Sequence, residues 1–459
     1  MKTTSKEALF ETYPIGKAVA TLAVPTILSS LVMVLYNLAD TYFVGMLNNP
    51  VQNAAVALAA PVLLAFNAIN NLFGVGSSSM MSRALGSRNQ DLAKRSSAFG
   101  FYGALISGFI FAILCTIFQK PLLNLLGVTA ETAEATKAYM FWTVTCGAAP
   151  SILNVVMAYM VRSEGAAFHA SVGTMSGCFL NVILDPIFIL PFGFNMGAAG
   201  AGLATFLSNC AACLYFFVLI FARRKTTNVC VSPKKLTLKK DVVFGVFTVG
   251  IPAAIQNLLN VTGATLLNNM TASYGANAIA AMGISQKINM IPMYIASGLS
   301  QGIMPFISYN YASKNIKRMR GALTFAAKIS LTFLIVVAST FFFASEFYIS
   351  LFMKNEQIIA YGSRFLRGFS LALPLLSIDF LAVGVFQAVG MGKEALSFAL
   401  LRKLALEIPA LYILNKLFPL YGLPYAQPIA ELVLAIAAVV MLIRLFKKIE
   451  TATPEPEYD

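Results

Sequence analysis

VATLAVPTILSSLVMVLYNLADTYFV, residues 19–44, decides how this chain is to be read. It holds no Lys or Arg, and its one acidic residue is Asp40. A helix needs about 20 apolar residues to cross a hydrocarbon layer of about 30 Å, and a tilted barrel strand needs only about 9–11. The run is therefore a membrane-spanning helix. It is also too long for the apolar core of a secretory signal, and no small-residue cleavage site follows it. It reads as the first span.

The rest of the chain agrees. Of 459 residues, 58% are hydrophobic and only 11% charged, against about 25% charged in a soluble domain. Lipid is the solvent that such a composition fits. Apolar runs place spans near 16–45, 53–80, 98–118, 137–160, 169–190, 197–221, 242–270, 278–308, 323–344, 358–389, 395–416 and 422–446. The expectation is an all-α polytopic membrane protein of twelve transmembrane helices.

The net charge of +14 invites a nucleic-acid partner, but the basic residues form no single patch. They fall in alternate connections: Arg83, Arg88, Lys94 and Arg95; Arg223, Arg224, Lys225, Lys234, Lys235, Lys239 and Lys240; Lys314, Lys317, Arg318 and Arg320; then Arg444, Lys447 and Lys448. The intervening connections 46–53, 191–197 and 271–278 are nearly free of them. The positive-inside rule then puts both termini in the cytoplasm of a multi-pass protein of the cell membrane, with lipid rather than nucleic acid as its surroundings.

The chain repeats itself. Pro25 and Pro252 lie 227 residues apart, as do Gly165 and Gly392; Gly76 and Gly302, and Asn89 and Asn315, lie 226 apart. Six spans per half is an even number, so the halves share one orientation. They form two parallel six-helix lobes related by a pseudo-two-fold axis along the membrane normal, with substrate expected between them. The expected divisions are a cytoplasmic segment 1–15, a first lobe 16–222, a basic cytoplasmic linker 223–241, a second lobe 242–446 and a disordered tail 447–459. Such a protein is read as a secondary transporter and as a monomer.

Carboxylates inside a bilayer cost about 2.5–3.5 kcal/mol each on the insertion scale and need a reason. Asp40 sits in YNLADTYFVG beside Tyr36, Asn37 and Thr41. Asp185 sits in LNVILDPIFI, with Asn181 one turn earlier on the same face and Pro186 loosening the helix. These oxygens suit Na⁺; desolvated, the same carboxylates can carry a proton. Candidate second-half positions are Asp379, Glu431 and Lys287, the last either lining a cavity, pairing with Asp379 or reaching the interface. Lys403 and Glu407, four apart, read as a structural pair.

Other features read as structure. FGVG (73–76) and GAAGAG (197–202) lack the context of a nucleotide site, and no Walker motif is present. Cys210 and Cys213 form a CxxC without acidic or His company, so no metal or redox cofactor is expected. The lone His169 reads as a solvated loop histidine. With one His there is no cluster for an integral membrane enzyme.

Several of these segments together resemble the multidrug and toxic compound extrusion (MATE) family, and its multidrug-export branch in Gram-positive bacteria. They are LADTYFVG, FGVGSSSMMSRALGSRN (73–89), RSEG (162–165), LNVILDPIFI and MGAAGAGLAT (196–205), with a second-half echo in GIP (250–252) and GLSQGIMPFISYNYASKN (298–315). The resemblance implies efflux of cationic and aromatic drugs driven by inward Na⁺ or H⁺. It maps a cation site onto Asp40, Asn181, Asp185 and Thr205. The family's span-ten acid corresponds to Asp379, whereas the span-seven stretch IQNLLNVTGATLLNN has no acid. Tyr36, Asn37, Phe66, Asn70 and Asn154 are candidate liners of a drug cavity. The alternative transporter is a flippase of lipid-linked saccharides, which the acidic interior disfavours.

Overall fold

The computed structural model describes residues 5–47 and 49–452, which are helical with no strand among them. Among the described residues, nine helices are long and apolar enough to cross a membrane. Span one is Ile15–Gly45, span two Pro50–Gly86, span three Gln90–Ile117, span five Ala167–Ile189 and span six Ala198–Ala222. Spans seven, eight, nine and twelve are Lys240–Ala272, Ala276–Ala312, Ile316–Phe343 and Leu423–Thr451. Spans four and ten are each broken: Ala133–Cys146 meets Ala148–Ser163 at 49°, and Glu356–Ser370 meets Leu373–Val389 at 44°. The remaining helix, 392–417, is span eleven; its charges separate it from the apolar set. Counted with it, the helices among the described residues reach the twelve expected. Span one, 31 residues at about 1.5 Å each, is about 46 Å long, so it outreaches the hydrocarbon layer.

Local signals recur at the repeat distance. Asn89 caps span three by accepting from the Leu92 N–H at 3.0 Å, and Asn315 caps span nine from Arg318 N–H at 3.2 Å. The residue before each cap, Arg88 or Lys314, has a positive φ near 60°. Both halves thus turn the same cytoplasmic corner with the same chemistry.

Contacts gather the chain into two compact units, Leu28–Ala254, and the residues up to Ile27 together with those from Ile255 onward. These differ at their edges from the lobes read in the sequence. The first part of span one belongs with the second unit, and the first part of span seven with the first unit. Each crossing falls two residues beyond a proline inside the helix, Pro25 or Pro252. Glycines make the close approach. A Cβ on Gly302 would lie 2.6 Å from Ala23 Cα, and one on Gly76 would lie 2.9 Å from Val246 Cγ1 and 3.2 Å from Gly250 Cα.

The segments before spans one and seven are docked. Helix Ser5–Glu11 sets Phe10 stacked on Tyr309 at 4.7 Å, with Glu11 accepting from the Tyr309 hydroxyl at 2.7 Å. The basic linker is pinned to the first unit. Glu164 accepts from Thr227 Oγ1 at 3.0 Å and Asn228 N–H at 2.8 Å, and Ser97 Oγ accepts from Cys230 N–H at 2.9 Å. At the other terminus the last helix continues to Ala452, so residues 447–452 of the expected disordered tail are helical; 453–459 lie outside the described residues.

Candidate functional site

In the first unit, spans one, five and six bring the expected residues together. Pro186 lies inside span five directly after Asp185. Asp185 is fully buried and Asn181 nearly so. With its amide oriented to satisfy both neighbours, Asn181 donates to Asp185 Oδ2 at 2.9 Å and accepts from the Thr205 N–H at 3.1 Å. This ties span five to span six. Tyr36 of span one is hydrogen-bonded to the Thr205 side chain, which adds the third helix. Asp40 lies within electrostatic reach of Asp185, and no basic side chain among the described residues balances either.

Oδ1 of Asp40 and Oδ1 of Asp185 are both buried and accept no hydrogen bond. Buried polar atoms are almost always partnered, and an unpaired buried carboxylate neutralises rather than stays charged. The donors here are all oxygen: two carboxylates, a hydroxyl and an amide. Hard cations prefer that set, and the carboxylates equally accept a proton. The residues therefore fit either coupling ion. One member was not legible beforehand. Tyr139, in the first segment of span four, is buried within reach of Asp40, Asp185 and Tyr36. Its only sequence signal was an aromatic among others in AYMFW (138–142).

The residues expected around a drug divide differently. Tyr36 joins the carboxylates. Asn37 is exposed, its amide donating to Met33 O at 2.9 Å. Phe66 lies in the core of the first unit, edge-on to Phe111 at 5.2 Å. Asn70 is buried with an unbonded Oδ1. Asn154 is buried and donates to Asn209 Oδ1 at 2.8 Å.

The second unit holds a separate charged cluster. Arg402 lies 3.1 Å from Asp379 and also contacts Glu431 directly. Lys403 meets Glu407 at 2.6 Å, the pair that their spacing suggested. All five lie on or against a π-helical turn, Leu401–Glu407, in span eleven. Asp379 is therefore paired with Arg402 and not with Lys287, whose side chain is exposed on span eight. The physical reason is reach: the wide π turn brings Arg402 onto spans ten and twelve. Arg402 in LLRKLALE was the signal for this partner. His169, read as a solvated loop residue, is instead half-buried at the start of span five, its Nε2 2.7 Å from Arg223 Nη2 and its Nδ1 3.2 Å from the Tyr215 hydroxyl.

Two sets of six helices, the first holding a pair of buried carboxylates, define a polytopic membrane transporter. A family model described as MatE matches residues 25–187 and again 252–413, so the two matches begin at Pro25 and Pro252, the repeat seen in the sequence. The multidrug export protein MepA of Staphylococcus aureus (strain NCTC 8325 / PS 47) is 32% identical over 447 residues, 97% of each chain. MepA of Staphylococcus saprophyticus is 33% identical over 435 residues, 94% of each. A solved outward-facing multidrug-resistance MATE transporter superposes with a TM-score of 0.92 at 25% identity, covering 98% of this chain and all of that one. The chain belongs to the MATE family of transporters.

Proposed function

We propose that this protein exports cationic, aromatic drugs in exchange for inward Na⁺ or H⁺, and that Asp40, Asn181, Asp185 and Thr205 hold the coupling ion. The observation that carries the reading is a pair of neighbouring carboxylates, each with a buried, unbonded oxygen and neither with a basic partner among the described residues. Such a pair holds a cation or proton in one state and regains its charge on losing it. That change is the differential affinity that a two-state carrier needs. Regained negative charge also attracts a cationic drug, and the similarity to multidrug export proteins supports drugs as the substrates. A lipid-linked diphosphate would meet acid here, which weighs against a flippase. Both termini are assigned to the cytoplasm, and the working form is a monomer.

The decisive measurement is dye uptake into energised inverted vesicles, with Na⁺ and pH gradients imposed separately. At least one of the two gradients, imposed alone, should drive dye movement in the parent, and neither should do so in Asp185→Asn. Equal transport by parent and variant, at equal amounts in the membrane, would place the coupling site elsewhere.

A further inference from the structure

The first unit holds a cavity that the carboxylate site does not use. Its volume is about 640 Å³, within the range of about 300–1,000 Å³ common to small-molecule sites. It lies at the helix ends away from the basic connections, where spans two, four and six meet the turn after span three. Gln52, Gln119, Glu134 and Lys137 form its polar wall, and Phe141 and Met196 its apolar one. Glu134 and Lys137 stand three residues apart on the helix Ala133–Met140, close enough to pair. Yet no ion pair joins them or ties either to another described residue. Gln52 engages only its carbonyl, Oε1 accepting from the Ala198 N–H at 2.7 Å, so its amide N–H groups remain for an occupant. A concave site with two unpaired charges of opposite sign, beside an amide donor, suits a ligand that carries both charges.

We propose that this cavity binds the headgroup of a zwitterionic phospholipid, phosphatidylethanolamine, with its phosphate on Lys137 and its ammonium on Glu134. Residues three apart on a helix have Cβ atoms about 5–6 Å apart. An ammonium and a phosphate joined by two methylene groups have a separation of that order. The Gln52 amide can donate to the phosphate beside Lys137. The apolar wall makes the occupant a lipid rather than a soluble zwitterion. Phe141 is 48% exposed, and Phe192 and Phe194, in the connection that carries Met196, are 78% and 68% exposed. Aromatic rings concentrate at the headgroup level of a bilayer, and an acyl chain runs down from there along them. An anionic phospholipid would set its charge against Glu134. The segment that lines the cavity also carries Tyr139, within reach of Asp40 and Asp185, so the lipid sits behind one wall of the carboxylate site. The inference holds whichever ion those carboxylates take.

Trp142, the only tryptophan of the chain, follows Phe141 directly and packs against Phe206 of span six at 5.9 Å, so its fluorescence reports on this place. The full-length protein is reconstituted in phosphatidylglycerol vesicles that contain a fixed fraction of a chain-brominated lipid, and quenching of Trp142 is read. Brominated phosphatidylethanolamine should bind about threefold better than brominated phosphatidylglycerol or brominated diacylglycerol, the scale of an exposed ion pair. Glu134→Gln should remove the preference over phosphatidylglycerol. Lys137→Gln should remove the preference over diacylglycerol. Lys120→Gln, which makes the same change of charge on an exposed side chain outside the cavity wall, should keep both. The proposal is overturned if the parent shows no preference, if Glu134→Gln and Lys137→Gln retain both preferences, or if Lys120→Gln loses them as well. Glycerophosphoethanolamine, present on both sides of the vesicle, should relieve quenching less than intact unlabelled lipid does at the same concentration. Equal relief would assign the cavity to a soluble zwitterion and overturn the lipid.

Discussion

Asn181 shows how much one side chain can carry. It bonds the Asp185 carboxylate and the Thr205 backbone at once, and so it fixes a charged group against a neighbouring helix. A hydrogen bond to a charged group is worth about 1.5–3 kcal/mol, so Asn181→Ala should weaken Na⁺ or H⁺ binding by roughly ten- to a hundredfold. Calorimetric or pH-titration binding curves on the purified protein check this, and unchanged affinity would separate Asn181 from the site. Tyr36→Phe removes only the hydroxyl bonded to Thr205. Its effect should be smaller, about 0.5–1.5 kcal/mol, with the same measurement as readout. Asp40 and Asp185 were legible because acids within apolar runs stand out. Tyr139 was not, because an aromatic within a span looks the same whether it faces lipid, core or carboxylate. Arg402 was a signal in plain view, but its partners lie 23 residues before it and 29 after, and sequence spacing does not connect helices.

At the scale of elements, the glycines and the pinned linker give separable expectations. Gly76 and Gly302 admit spans seven and one at backbone contact. A larger side chain there overpacks a close crossing at about 1–3 kcal/mol. Gly76→Leu and Gly302→Leu should each lower the thermal midpoint of the detergent-solubilised protein, whereas Gly283→Ala, where nothing lies within 4 Å, should not. Similar midpoints for all three would refute the close-approach argument. The linker depends on Glu164, buried beneath Thr227 and Asn228. Glu164→Ala leaves those donors unsatisfied, a loss of about 1–3 kcal/mol. Trypsin should then cut the Arg223–Lys225 stretch several-fold faster, as read by the time course of the two half-length fragments. RSEG was visible in the sequence as a motif, and its task of holding a strap 60 residues downstream was not.

For the whole molecule, the charge pattern of the connections makes a directional claim. A variant that keeps only Cys230, in the basic linker, should react with a membrane-impermeant maleimide in inverted vesicles and not in intact cells. Labelling from outside the cell would reverse the orientation drawn from the basic connections. Two determinants of this protein were fixed by sequence alone, because each is a local or one-dimensional property. Twelve helices follow from the lengths of apolar runs measured against a bilayer, and the duplication follows from a constant spacing of Pro, Gly and Asn. The carboxylates at Asp40 and Asp185 belong with these, since the energetic penalty of an acid in lipid is independent of what surrounds it. Three things were decided only in three dimensions. The compact units exchange the first parts of spans one and seven, because backbones meet wherever glycines let them, and no periodicity records that. Arg402 lies between Asp379 and Glu431 because a π turn re-aims one side chain, and a half-residue change of helical phase leaves no mark on a hydrophobic run. Which buried oxygens remain unbonded also depends on every neighbour at once, and no one-dimensional pattern records it.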